Sequence, residues 1–358
     1  ASAWAAPSGV SARAWVLIDQ SSGRELAASQ ADLPLPPASL TQLMTAYVLL
    51  GDLKGKRLSL TATVSVPEAA TRADGARIFL KTGEAPSVDT LMQAMLVASA
   101  SDAVLALVTA TDGSETAFVD RMNREAKRLG MTRTRFVNAT GLPAPGQQSS
   151  ARDLAILARA LIRDFPDRLA WFTQREFVHG GLSFFNGNQL LWRDATVDGL
   201  KAGRSAEAGY CLAASSKRGD QRRIAVELGA RNEAQRTQNA LKLLNYGFEN
   251  FDSALLYRAL QPVKVVKLYR GERATVSLGF LQDFHLLAPR GALGRIKAEV
   301  VTRQPVVAPI SRGQELGTLR LTLDGQLFGT YPLVALHDVS VAGVLGRGWD
   351  SIRLMLGQ

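Results

Sequence analysis

Cysteine is almost absent: the 358-residue chain has one, Cys211. A single thiol excludes an internal disulfide framework and a cysteine-ligated zinc site. Histidine is nearly as scarce. His179, His285 and His337 lie far apart, which excludes a histidine-rich metal centre and an HExxH metalloprotease, and nothing calls for a cofactor. No apolar run reaches the ~18 residues of a membrane-crossing helix. Proline and glycine, 14 and 31, are too few for collagen-like or low-complexity sequence. Acidic residues number 32 against 42 lysines and arginines, for a net charge of +10. That excess suits an anionic neighbour such as a cell-wall polymer or a phospholipid surface. The basic residues form no run of five or more, so nucleic acid is not expected as a partner.

Hydrophobic residues make up 46% and charged residues 21%, the balance of a folded chain. The length predicts roughly two domains. Ala14–Asp19 reads as a strand closed by a turn at Ser21–Arg24. Pro36-Pro37-Ala38-Ser39 opens a helix through Leu50, since proline costs little at a helix start. Helices are also predicted over Thr90–Thr109, Glu115–Leu129 and Ser149–Ile162. Beyond residue 258 the texture turns to β. Leu319, Leu321 and Leu323 alternate with polar residues and run into Asp324-Gly325, a strong hairpin signal. The predicted segments are 1–253 (mixed α and β), 258–338 (all β) and a tail, 339–358. At helical spacing Val341, Leu345, Trp349 and Ile352 share one side of that tail, so residues 341–356 are a candidate interfacial helix. The opening Ala1-Ser2-Ala3, without a basic and apolar leader, reads as the mature end of an exported chain.

Three short motifs carry chemistry. In Ser39-Leu40-Thr41-Gln42 a serine heads a helix, with Gln42 one turn on. Alone, Ser39 reads as a helix cap. Ser99-Ala100-Ser101-Asp102 follows about 60 residues later, and Lys201-Ala202-Gly203-Arg204 about 100 after that. Phe136–Leu142 and Ser149–Leu154 lie between. Leu191-Trp192, Gly229-Ala230-Arg231 with Arg236, and Ala288-Pro289-Arg290-Gly291 complete the set. In this order the chain resembles, over nearly its whole length, the penicillin-binding D-alanyl-D-alanine carboxypeptidases. It is most similar to the low-molecular-mass type with a C-terminal β domain and an amphipathic tail.

The resemblance implies an α+β fold: a β-lactamase/transpeptidase-like domain, with an antiparallel sheet flanked by helices, then a small all-β domain. It implies a periplasmic protein at the outer face of the cytoplasmic membrane, acting on peptidoglycan stem peptides. Carried over by position, Ser39 is the nucleophile and Ser99 a proton-transfer hydroxyl. Lys201, Ala202, Gly203 and Arg204 form the strand beside which substrate lies, and Arg236 faces the substrate carboxylate.

The departures are as informative as the matches. Gln42 replaces the family's base lysine, Ser101 its asparagine and Ala202 its threonine; Arg204 stands where the similar relatives carry histidine. A carboxamide accepts no proton at neutral pH, and loss of one member of a nucleophile–base unit typically costs about 10⁴–10⁶ in kcat. The expectation is therefore an inactive or severely impaired member that binds stem peptides or regulates a wall enzyme. The alternative is an active enzyme with Lys201 as a rewired base, its pKa depressed by burial or by Arg204 and Arg236. Lys81-Thr82-Gly83 copies the family's third motif out of order and is expected to be a turn. Asn138-Ala139-Thr140 is a glycosylation sequon by pattern only.

Overall fold

The computed structural model describes residues 7–343. The chain divides into two units between Glu249 and Asn250. The first is built on a five-stranded sheet ordered β2-β1-β7-β6-β5, with every pairing antiparallel. Its strands are β1 (Ala14–Asp19), β2 (Glu25–Ser29), β5 (Val197–Ser205), β6 (Gly209–Arg218) and β7 (Gln221–Ala230). A separate hairpin pairs β3 (Glu176–His179) with β4 (Leu182–Phe185). β1 is buried at all six positions and so lacks the polar alternation of a one-sided sheet.

Among the described residues this part of the chain has eight α-helices: α1 (Thr41–Lys54), α2 (Glu68–Thr71), α3 (Val88–Ala98), α4 (Ser101–Asp112), α5 (Glu115–Leu129), α6 (Ala151–Asp164), α7 (Leu190–Arg193) and α8 (Glu233–Asn250). α1 is apolar nearly all round and buried from Thr41 through Leu50, the pattern of a central helix. Its polar residues need internal partners. Thr45 Oγ1 donates to Ala139 O at 2.7 Å, and Gln147 Nε2 donates to Thr41 Oγ1 at 3.1 Å, which ties the 138–147 loop to the helix. α5 takes the bounds expected for it. Ser114 Oγ accepts from Ala117 N at one end, and Gly130 adopts a left-handed φ at the other.

The helix predicted over Thr90–Thr109 is instead two, α3 and α4, broken at Ser99-Ala100. Ser99 sits in the left-handed region at φ 55°. The apolar periodicity runs across the break, so the sequence pattern conceals it. Tertiary bonds hold it: the buried Asp102 carboxylate accepts from Ile78 N and Leu80 N, and Ser101 N donates to Ala76 O at 2.7 Å. Lys81-Thr82-Gly83 is a surface turn.

The second unit is all β. Its six-stranded sheet runs β12-β14-β15-β10-β9-β13, and β8 pairs with β11. The strands are β8 (Phe251–Tyr257), β9 (Pro262–Tyr269), β10 (Thr275–Gly279), β11 (Phe284–Pro289), β12 (Ile296–Thr302), β13 (Val306–Val307), β14 (Glu315–Leu323) and β15 (Gln326–Ala335). Its own core includes Val276, Leu278, Leu319, Leu321 and Leu333. Asp324 and Gly325, both at positive φ, form the β14–β15 hairpin. Val339 bridges to Ile310 and Val341 to Gly271. Val341 is therefore extended backbone in a bridge rather than the first turn of a helix. The rest of the predicted tail, from 344, lies outside the described residues, as do residues 1–6.

Candidate active site

Ser39 lies in the one-turn 3₁₀ segment Ala38–Leu40 that leads into α1. It is not a helix cap, since neither the turn nor α1 has a side-chain capping bond. Two glycines allow this turn its close contacts. A Cβ on Gly203 of β5 would stand 2.7 Å from Ser39 N, and one on Gly141, at φ +83°, 2.1 Å from Ala38 O. β5 is an edge strand that pairs only with β6 in the sheet; Asn188 Nδ2 donates to Gly199 O near its start, and Ala202–Ser205 line the cleft on its other margin.

That margin lines a cleft of about 1190 Å³ in the first unit. Ser39, Ser99, Ser101, Ala202, Gly203, Arg204 and Arg236 all line it. Gln42 and Lys201 do not reach the cleft surface and are 0% and 2% exposed. The three motifs, separated by up to 165 positions, thus meet in one place.

Gln42, at the position where the resemblance implies a base, is an amide held by backbone carbonyls. Its Nε2 donates to Thr140 O at 2.9 Å and Ser99 O at 3.3 Å, while its buried Oε1 has no partner. An amide oxygen buried in this way typically costs about 1–3 kcal/mol. A lysine ammonium here would bring three donors and no acceptor, leaving no such orphan. The Ser39 hydroxyl is absent from every side-chain hydrogen bond of the described residues, including those of Gln42.

Lys201 is differently placed. Its Nζ lies 2.6 Å from Ser99 Oγ, 2.9 Å from Met95 O and 3.0 Å from Leu96 O. Burial lowers its pKa to about 7. Of the two causes the sequence reading allowed, burial is the one that acts, and Arg204 and Arg236 do not contribute. Arg204 is exposed at the cleft margin. Arg236, on α8, is largely enclosed. It donates to Gly187 O at 2.7 Å and Glu233 Oε1 at 3.0 Å, and its Nε has no partner. Burial holds its pKa below the usual guanidinium range, partly offset by Glu233 and Glu227.

Two carboxylates support the site: Asp102, quoted in the second motif without a role, and Glu227, which the motif reading missed. Asp102 pins the cleft wall at residues 78–80. Glu227 is buried beside Arg236, accepts from Asn239 Nδ2 at 2.8 Å, and is pushed by burial to a pKa of about 8. Each is a lone acid within an apolar run, and that is the signal that marks them. Thr140, whose carbonyl holds Gln42, lies in the Asn138–Gly141 turn. There Asn138 is engaged with Leu142 O, giving the sequon a structural role. No cluster of metal-binding side chains occurs among the described residues.

A serine at the head of a buried helix, a second serine bonded to a buried lysine, and an edge-strand margin thus share one cleft, the arrangement expected of the transpeptidase-like class of fold. A sequence model of D-alanyl-D-alanine carboxypeptidases matches residues 2–232, and one of the penicillin-binding protein 5 C-terminal domain matches 251–341. D-alanyl-D-alanine carboxypeptidase DacC of Escherichia coli is 38% identical over 361 residues, covering 99% of this chain and 90% of that protein. DacA of the same organism is 35% identical, covering 97% and 88%. The crystal structure of penicillin binding protein 5 from Haemophilus influenzae aligns with a TM-score of 0.90 at 32% identity, over 94% of this chain and all of that one. The chain belongs to the D-alanyl-D-alanine carboxypeptidase family.

Proposed function

We propose that this protein is a catalytically inactive or severely impaired carboxypeptidase that binds peptidoglycan stem peptides in its cleft. The observation that carries this reading is Gln42: its amide hydrogens are committed to two carbonyls, and it offers Ser39 no base. The binding half has independent support. The cleft margin of β5 can take an extended peptide by strand addition. Arg236 and Arg204 at the cleft can hold a terminal carboxylate. Its place would be the periplasm, at the outer face of the cytoplasmic membrane, with residues 341–356 as a candidate membrane contact. Regulation of a wall enzyme is compatible with the same retained scaffold.

The test pairs two measurements on the full chain. Titration with a stem pentapeptide should give saturable binding that weakens on Arg236→Gln. Mass spectrometry after excess penicillin should show no adduct on Ser39. An adduct there, lost in Ser39→Ala, would sink the impaired reading.

One contact favours a second reading. With Lys201 Nζ 2.6 Å from Ser99 Oγ, the Ser99 hydroxyl could relay a proton from Ser39 to Lys201. This is an active carboxypeptidase with a relocated base. Release of D-Ala from a pentapeptide, dependent on both Ser39 and Lys201, would decide for it.

A further inference from the structure

We propose that Ser99, not Ser39, is the activated hydroxyl of this cleft, and that Ser99 with Lys201 forms a serine–lysine pair that accepts acyl groups. This rests on the reading that Ser39 has lost its base.

Four observations carry it. First, Ser99 lines the cleft and so can meet an acyl donor. Second, its Oγ lies 2.6 Å from Lys201 Nζ, whereas no side-chain hydrogen bond reaches Ser39 Oγ among the described residues. Third, Lys201 Nζ, which donates to Met95 O, Leu96 O and Ser99 Oγ, can keep the same three partners as a neutral amine. A neutral amine has two N–H bonds and one lone pair. Met95 O and Leu96 O accept two protons, and the Ser99 hydroxyl can donate to the lone pair. No carboxylate bonds to Nζ; its cross-strand neighbour on β6 is Ala213, and burial is the sole cause of its lowered pKa. Fourth, Ser99 is held at φ 55° in the break between α3 and α4, a backbone state unusual for serine that fixes where its Oγ stands. Ser101, also at the cleft, is shorter than the asparagine of the family.

The step balances within the pair. Ser99 Oγ attacks the acyl carbon of an amide or β-lactam as its proton passes to Lys201 Nζ. The carbon–nitrogen bond then breaks, and Lys201 returns the proton to the leaving nitrogen. Lys201 ends neutral and Ser99 carries an ester, with no external oxidant or reductant.

Benzylpenicillin is the probe. The full chain and its Ser39→Ala, Ser99→Ala and Lys201→Arg variants are incubated with it, weighed intact, then digested to locate the modified serine. The expected adduct maps to the Ser99 peptide, survives Ser39→Ala and disappears in Ser99→Ala. Its rate of formation should rise about tenfold from pH 6 to pH 8, as a base with a pKa near 7 becomes neutral. Lys201→Arg keeps donors for the two carbonyls but offers no lone pair, so it should abolish labelling. If that variant does not fold, the pH profile of Ser39→Ala decides in its place. An adduct on Ser39 overturns both this inference and the impaired-nucleophile reading. No adduct anywhere between pH 6 and 9, or pH-independent labelling of Ser99, overturns this inference alone.

Discussion

Gln42 is one side chain, and on the proposed reading it carries most of the loss of activity. Its orphaned Oε1 shows that the pocket around it does not suit an amide. Restoring the amine through Gln42→Lys should raise the rate of penicillin acylation at Ser39 by about 10²–10⁴-fold, the usual worth of a positioned base. Ser101 and Ala202 hold the gain below that of an intact site. Time-resolved intact mass measures it, and an unchanged rate would show that position 42 is not the limiting lesion. Two further buried groups set opposite pH dependences. Glu227, raised to about 8, binds its proton more tightly folded than unfolded, so it removes stability as pH climbs from about 4.5 to 8. Lys201, lowered to about 7, does the reverse. The unfolded chain holds that proton up to about 10.5, so stability grows with pH between about 7 and 10.5, by at most ~1.4 kcal/mol per pH unit. Urea titrations across pH should show the first trend flattened in Glu227→Gln and the second in Lys201→Met.

Elements bring these residues together, and here the sequence was only partly legible. β1 and α5 are readable because their ends carry local signals: a turn after Asp19, a serine cap at 114 and a glycine stop at 130. The α3–α4 break was invisible because its cause is distant in sequence; residues 76–80 must dock on Asp102 before the helix has reason to end at Ser99. The motifs disclosed which residues meet, but not that Lys201 would bond Ser99 while Gln42 turned to Thr140. Those choices depend on which carbonyls the 138–147 loop and the end of α3 present. Gly141 tests the element-level account. Gly141→Ala would force a Cβ into Ala38 O at positive φ, and should cost roughly 1–3 kcal/mol and weaken pentapeptide binding together. Gly83→Ala, also at positive φ but with open space around it, should lose stability without losing binding.

At the scale of the molecule, the described residues hold a core in each unit, with separate memberships. Separate cores predict separate cooperative transitions in scanning calorimetry. Because the cleft is lined wholly by residues of the first unit, a saturating pentapeptide should raise one transition and leave the other in place. A single transition that moves as one would contradict this. The basic excess spreads over both units, which is why composition pointed to an anionic setting without locating a site.

The cleft margin of β5 has one more consequence. Unpaired edge groups are a template for any passing β-strand, and an exposed edge invites self-association into fibres. Here the end of the edge lines a concave wall and carries the charged, exposed Arg204 next to its last residue, Ser205. A lone extended peptide can enter such a recess, but the flank of another folded sheet is too broad for it. On the proposed reading, solubility and ligand choice depend on the same piece of shape. A substitution that flattened the cleft would endanger both, and clumping of the purified protein would be its first symptom.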